Sequence, residues 1–143
     1  MYETTFTRRV TTSTVQPDGI VGTTTEEKLL LRSDSFALAE ISSFLVADPG
    51  YGDHFVGTPD IAKFEYAIKY GKDWVENLDD DPKYRGFNEE ILFMVGLLTQ
   101  LKDSLAEGEV LHAVRDGDET YDEFEEYDHS GNVKPYYNLE FNL

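Results

Sequence analysis

The chain has 143 residues, of which 40% are hydrophobic and 13% aromatic, and this length and composition exclude a disordered or fibrous protein and predict one domain over residues 1–143. Its 29 Asp and Glu residues outnumber its 12 Lys and Arg residues, which gives a formal net charge of −17. Direct binding to nucleic acid or to an anionic membrane is therefore not expected, since both present negative charge to the protein.

The first third of the sequence predicts a β-hairpin. Residues 4–15 and residues 20–31 form two segments with nine threonines between Thr4 and Thr25, and β-branched residues favour extended backbone over helix. The intervening Gln16-Pro17-Asp18-Gly19 is typical of a turn, because Pro fixes φ at the second turn position and Gly readily adopts positive φ. We expect two half-exposed strands joined by this turn.

The middle of the sequence predicts three helices. The first spans residues 35–47, with Ser33 or Asp34 as N-cap, and is followed by a loop that includes residues 51–55. The second begins with Thr58 as cap and Pro59 at the first helical position. Apolar residues then recur at spacings of three and four, which places on one face Ile61, Phe64, Ile68, Gly71, Val75 and Leu78.

The third helix is predicted from Asn88 to Gly108. Its first half contains the apolar stretch of residues 91–95, and Leu98 and Leu101 follow at helical spacing as predicted core residues. Because this first half is apolar on almost every side, we expect the third helix to be the central and most buried one.

The last third of the sequence predicts strands again. Residues 110–115 form a short apolar strand, and Asp116-Gly117 is typical of a two-residue hairpin turn. An aromatic and acidic strand over residues 121–127 follows, and a closing edge strand over residues 133–141 contains Pro135. The sequence thus predicts an α+β fold, with an antiparallel sheet from N- and C-terminal hairpins and three central helices packed on one face.

The cellular setting is suggested by what the sequence lacks. It contains no cysteine, which excludes disulfides and thiolate chemistry. The first 15 residues contain no signal-peptide-like apolar run, and the longest apolar run, residues 91–98, is far shorter than the roughly 20 residues needed to span a membrane. We therefore expect a soluble cytoplasmic protein, located in the host cytoplasm if a phage encodes it.

The strongest functional signal is the acidic segment, residues 116–128, which contains eight Asp and Glu residues and no base. Regularly spaced aromatic residues indicate that it is anchored to the fold. Carboxylates on one face of a strand lie about 6.6 Å apart, which is similar to the separation of successive phosphates in nucleic acid. A face that only keeps the protein soluble is the alternative. The predicted partner-binding residues are Asp116, Asp118, Glu119, Tyr121, Asp122, Glu123, Glu125, Glu126, Tyr127 and Asp128, and a secondary acidic contact is predicted at Asp79, Asp80 and Asp81.

No motif for catalysis or metal binding is present. The acidic segment begins like a calcium loop, but it has Tyr121 where such a loop needs Gly and Tyr127 where it needs Glu. A zinc motif would place histidines close together, whereas the three in this chain are His54, His112 and His129. We expect no metal, no cofactor and a non-enzymatic function.

Two functions are compatible with this sequence, and acidic adaptation to high salt is a third explanation of its charge. The leading hypothesis is an acidic inhibitor that mimics nucleic acid and occupies the basic groove of a nucleic-acid-binding partner, such as a nuclease or its complex. Phage inhibitors of restriction or CRISPR nucleases, and immunity proteins, are small and acidic in the same way. The alternative is a structural or assembly protein, such as a virion component or a homo-oligomer subunit, whose Thr-rich N-terminal hairpin pairs with the sheet edge of a neighbour. A homodimer is possible in either case.

Overall fold

The computed structural model describes residues 2–46, 54–77, 82–117 and 139–143. Five strands form one antiparallel sheet in the order β3-β4-β1-β2-β5, and three helices pack against it, which confirms the predicted α+β fold. The elements are β1 Tyr2–Val15, β2 Val21–Ser33, α1 Phe36–Ile41, β3 His54–Gly57, α2 Ile61–Asn77, α3 Pro82–Asp103, β4 His112–Gly117 and β5 Leu139–Phe141, with a 3-10 turn Ser42–Phe44 after α1.

The N-terminal hairpin is formed as predicted and is longer than expected at its open end. Its strands pair from Thr4 opposite Ser33 to Val15 opposite Val21. The turn has Gly19 at φ 83°, and the Gly19 N–H donates to the Gln16 carbonyl at 2.9 Å. This is the three-residue loop in which a glycine in the left-handed region follows a type I turn.

The first helix, Phe36–Ile41, is shorter than predicted and begins one residue later. Ser35, and neither Ser33 nor Asp34, is the N-cap, because its hydroxyl accepts a hydrogen bond from the Leu38 N–H at 3.1 Å. The helix ends at Ile41, where the Ser42 hydroxyl donates to the Ala39 carbonyl at 2.9 Å. Such local side-chain bonds to the backbone compete with continued helix.

The second helix begins two residues later than predicted. Asp60 is its N-cap, because the Asp60 carboxylate accepts from the Lys63 N–H at 3.0 Å, so the predicted cap at Thr58 with Pro59 in the first turn is wrong. Of the predicted apolar face, Phe64, Ile68 and Gly71 are buried. Ile61 and Val75 are half-buried, and Leu78 lies outside the described residues.

The third helix begins six residues earlier and ends five residues earlier than predicted. Pro82 is its first residue, a position that tolerates proline because its missing N–H would have no helical partner. Leu92 and Phe93 are 51% and 46% exposed, so the apolar first half of this helix is not buried on every side. The opposite face of the helix supplies the centre of the core: Ile91, Met94, Leu98 and Leu101 are fully buried.

The hairpin turn predicted at Asp116-Gly117 is wrong, and the strand predicted over residues 121–127 lies outside the described residues. Asp116 and Gly117 belong to β4, which pairs with β1 on one edge and with β3 on the other. β5 pairs with β2, so the N-terminal hairpin separates β4 from β5. β3 was not predicted, since its first residues fall in the expected loop. Of the predicted closing strand, only Leu139–Phe141 lies within the described residues.

Candidate functional site

The acidic segment can be located only by its attachment points. Asp116 is exposed near the end of β4, and the other nine predicted contact residues, from Asp118 to Asp128, lie outside the described residues, as do Asp79, Asp80 and Asp81. Gly117 and Leu139, the described residues on either side of the gap, show where this part of the chain is attached. Gly117 pairs with Tyr2 at the start of β1, and Leu139 pairs with Ser33 at the end of β2. The segment is therefore attached at the open end of the N-terminal hairpin.

The described part of the chain contains no cluster of metal-ligating side chains. No group of three or more His, Asp or Glu residues lies close enough there to hold a metal ion. A cleft of about 330 Å³ beside α2 is lined by side chains of both charges, among them Lys69, Lys72 and Asp73. A second cleft, of about 260 Å³, is bordered by Arg9 and His112. No helix among the described residues is long and apolar enough to cross a membrane.

The most distinctive surface is the far half of the N-terminal hairpin, residues 9–27, which we call the arm. β4 stops pairing with β1 at Thr7, and β5 stops pairing with β2 at Leu31. Beyond these points the two strands pair only with each other among the described strands. Six residue steps from Arg9 to Val15, at roughly 3.3 Å each, make an arm about 20 Å long.

Both faces of the arm are open to solvent. Every residue from 9 to 27 is exposed except Val10 and Gly22, which are half-buried. At the tip, Val15 is 76% exposed, Ile20 61% and Val21 58%, and these are three of the exposed large apolar side chains in the described part of the chain. A two-stranded ribbon is only marginally stable in water, and an additional strand or packing surface is what ordinarily stabilises it.

Both outer edges of the arm carry unpaired backbone groups within the described part of the chain. The Gln16 N–H donates to the Ile20 carbonyl at 2.8 Å, so this pair is hydrogen-bonded, and hydrogen-bonded pairs alternate along an antiparallel ladder. The intervening pairs therefore direct their N–H and C=O groups away from the hairpin. On β1 these residues are Arg9, Thr11, Ser13 and Val15, and on β2 they are Val21, Thr23, Thr25 and Glu27.

The arm is graded from a charged base to an apolar tip. At the base, Arg9 Nε lies 3.2 Å from Glu27 Oε1. In the middle, Thr11 and Thr25 pair with their hydroxyl oxygens 3.3 Å apart. Val15 pairs with Val21 at the tip. Asp18 is the single charged residue between residues 10 and 25, so the outer part of the arm is sparsely charged, and Arg9, Glu26 and Glu27 carry the remaining charge at its base.

The base of the arm is held firmly against the helical layer. Arg8 Nε donates to Glu109 Oε1 at 2.9 Å, and Arg8 Nη2 donates to the Ser104 carbonyl at 3.1 Å. Both Arg8 and Glu109 side chains are about three-quarters buried, at 25% and 29% exposure, so this pair is better shielded than a surface ion pair. The arm therefore projects from a fixed point.

The sequence predicted the hairpin but not the extent of its exposure. The available signal was the loss of apolar alternation: after Phe6 and Val10, β1 has no further apolar residue until Val15. A strand with one face on a core would continue to alternate. In comparisons with protein-family models, curated proteins and solved structures, no match to this chain was found.

Proposed function

We propose that this protein is a non-enzymatic assembly subunit that uses the arm to extend a β-sheet with a neighbouring chain in the cytoplasm. The observation that carries the proposal is the arm itself, about 20 Å of two-stranded sheet with both faces and both edges unpaired among the described residues. Exposed edge strands are templates for another strand, and proteins that do not use them ordinarily blunt them with charge, proline or cover. Between Val10 and Thr25 the strands have neither charge nor proline, and no other described strand covers their edges.

Pairing with a neighbour would resolve both unfavourable features of the isolated arm. Added strands satisfy the outward backbone groups by main-chain hydrogen bonds, which is the basis of β-strand addition. Burial of the Val15, Ile20 and Val21 side chains at the tip would each stabilise the complex by up to about 1.5–3 kcal/mol. The outer part of the arm is sparsely charged, so pairing through it brings chains together away from most of their negative charge.

The test is a variant with a shortened arm. Replacing residues 11–25 by Asn-Gly joins Val10 to Glu26, a hydrogen-bonded pair of the kind that a two-residue turn can connect. Size-exclusion chromatography with light scattering should show association of the parent and a monomeric variant. The melting temperature of the variant should stay within a few degrees of that of the parent, since no fully buried residue is removed. A monomeric parent at about 100 µM, or a variant that associates like the parent, would contradict the proposal.

The acidic segment supports a second proposal, that the protein inhibits a basic nucleic-acid-binding partner such as a nuclease. Its support is the eight carboxylates without a base in thirteen residues, of which Asp116 is exposed in the structure. Electrostatic complementarity of this kind accelerates association with a cationic groove. The arm and the attachment points of the segment lie at opposite ends of the hairpin, so the two proposals concern separate surfaces.

Charge neutralisation tests the second proposal. Asp118, Asp122, Glu123, Glu125 and Glu126 are changed to Asn or Gln, and capture of a basic partner from host lysate is measured at two salt concentrations. We expect capture to be lost and the fold to be retained, because like charges at close spacing repel one another. Unchanged capture would refute the inhibitor proposal. The charge-matched control neutralises five exposed carboxylates on and beside the helices: Glu65, Asp73, Glu76, Glu89 and Glu107.

A further inference from the structure

We infer that the neighbour of the arm is a second copy of this chain, related to the first by a two-fold axis, and that the two arms lie antiparallel with their β1 edges paired around Ser13. This inference rests on the proposed assembly function and specifies its partner and geometry. It follows from the length of β1 edge that is free in the described part of the chain and from the charges at the two ends of the arm.

β4 limits the length of the β1 edge that a neighbour can use. It pairs with β1 as far as Thr7. The preceding residue, Leu111, bonds instead to the segment before α2, since its N–H donates to the Pro59 carbonyl at 3.1 Å. Over residues 9–15, no described strand other than β2 lies beside β1. A neighbouring strand must therefore fit within this length.

The neighbour must point in the opposite direction. An arm that points the same way with matching levels would bring strands of its own body beside residues 2–7 of β1, where β4 already lies. An arm that points the opposite way brings only its tip to that end, and its body lies beyond the tip of the first arm. This arrangement also separates the acidic bodies of two chains that each carry a net charge of −17, which lowers the repulsion between them.

The register follows from the space that the tip requires. A pair centred on Ser13 places Thr11 of each copy opposite Val15 of the other. The turn, residues 16–19, then ends at the level of Arg9, short of the level at which β4 begins. A register with one more hydrogen-bonded pair would move this turn two residues further, onto the first residue of β4. Centring on Ser13 is thus the longest overlap that β4 permits.

The residues that meet in this register are compatible throughout. Thr11, Ser13 and Val15 direct their backbone groups outward, and each hydrogen-bonded pair of an antiparallel ladder exchanges two main-chain bonds. The three pairs therefore satisfy all the outward groups of these residues. Thr12 lies opposite Thr14 at the intervening positions. Pairs of β-branched and hydroxyl side chains stabilise antiparallel strands, and residues 10–16 contain no charge that the pairing would bury.

Charge favours the β1 edge over the β2 edge. In the β1 pairing, the tip of one copy brings Asp18 to the level of Arg9 of the other, so opposite charges meet. In the equivalent pairing of two β2 edges, centred on Thr23, Asp18 would lie at the level of Glu27, and like charges would meet. Arg9 also borders the cleft of about 260 Å³ in which Val110 is 47% exposed, so the arriving tip meets an apolar side chain there.

The pairing closes at two copies. A contact between the same edge of two molecules is isologous, so it uses that edge in both of them. The β2 edges remain outside the pair, and at their base they carry Glu26 and Glu27. Charged side chains of this kind hinder further pairing of an edge strand. We therefore expect a dimer with a four-stranded sheet formed by the two arms.

Disulfide formation between single-cysteine variants tests the inference, and the chain offers a clean background because it has no cysteine. In the dimer the two Ser13 Cα atoms lie about 5.5 Å apart, within the range that a disulfide spans. Thr23 pairs with Ser13 within one chain, so the two Thr23 Cα atoms lie three strand spacings, or roughly 14 Å, apart. Under mild oxidation, Ser13→Cys should form dimers at least ten times faster than the matched control Thr23→Cys.

Two further controls accompany this comparison. Ser13 and Thr23 are both exposed, so neither substitution should unfold the protein. Lys63→Cys, on the exposed side of α2, measures disulfides that arise from random collision. Native mass spectrometry of the parent counts the copies in the assembly.

The outcomes separate the inference from the proposed function. Faster disulfide formation at Ser13 than at Thr23, in a species of two copies, supports the two-fold arrangement. Equal rates, faster formation at Thr23, or a species of three or more copies overturns it, while association that depends on the arm still supports the assembly function. Absence of any association in the parent, or association unaffected by shortening the arm, overturns both.

Discussion

Gly71 should not tolerate alanine, whereas Gly96 should. Both glycines lie inside helices, Gly71 in α2 and Gly96 in α3. A Cβ atom added at Gly71 would lie 2.6 Å from Val95 Cγ2 and 3.2 Å from Ile41 Cδ1, whereas one added at Gly96 would meet nothing within 4 Å. Carbon atoms prefer separations of about 3.5–4.0 Å, so at Gly71 the Val95 side chain or the whole of α3 must move by roughly 1 Å.

The magnitude follows from the two opposing contributions. Replacing a glycine inside a helix by alanine stabilises the helix by about 1 kcal/mol at either site. Overpacking a core costs roughly 1–3 kcal/mol, and this cost arises only at Gly71. Gly96→Ala should therefore raise the free energy of unfolding by about 1 kcal/mol, and Gly71→Ala should leave it unchanged or lower it by up to about 2 kcal/mol. The helix contribution cancels in the difference between the variants, which isolates the cost of overpacking.

Urea denaturation followed by the fluorescence of Trp74, the single tryptophan of the chain, measures this difference. The arm-shortened variant is the suitable background, so that association does not change the apparent stability. Adding Val95→Ala to Gly71→Ala should recover part of the loss, because it removes the nearest methyl group. Equal stabilisation by alanine at both glycines would show that α2 and α3 do not approach closely at Gly71.

Three further predictions concern the core and the charge. Leu98→Asp should abolish cooperative unfolding in a melting curve, because Leu98 is fully buried and an unpaired charge there has no compensation; melting at the parent temperature would contradict the assignment. A mobility-shift titration should show no binding to DNA or RNA at physiological salt, and sub-micromolar binding would remove the argument from net charge. Raising NaCl from about 0.05 to 0.5 M should strengthen self-association measured by light scattering and should weaken capture of a basic partner; self-association that weakens with salt would contradict pairing through the sparsely charged part of the arm.

The sequence was most informative where structure depends on neighbouring residues. The turn at Gly19, the Thr-rich strands and the buried stripe of Phe64, Ile68 and Gly71 all follow from local conformation or helical spacing. Helix starts were less predictable, because Thr58 and Asp60 are both good caps and the choice depends on the path of the chain. The Leu111 N–H donates to the Pro59 carbonyl at 3.1 Å, and no local pattern reveals that contact.

Strand partners and the candidate site depended on contacts that the sequence does not specify. Asp116-Gly117 has turn chemistry, yet pairing with β1 and β3 holds both residues in a strand. The exposure of the arm likewise depends on where β4 and β5 leave the hairpin. The composition pointed to the acidic segment as the functional site. Among the described residues, however, the most distinctive surface is the arm, whose outer part is sparsely charged.

Amide hydrogen exchange along the arm tests the central claim most directly. The N–H groups of Thr12 and Thr24 face each other across the hairpin, whereas those of Thr11, Ser13, Thr23 and Thr25 face outward. If a neighbouring strand pairs with the arm, the outward amides of the paired edge should exchange about tenfold or more slowly in associated protein than in dilute monomer, since one hydrogen bond contributes roughly 1–1.5 kcal/mol. Outward amides of both edges that exchange equally fast in both states, in protein shown to be associated, would contradict the account.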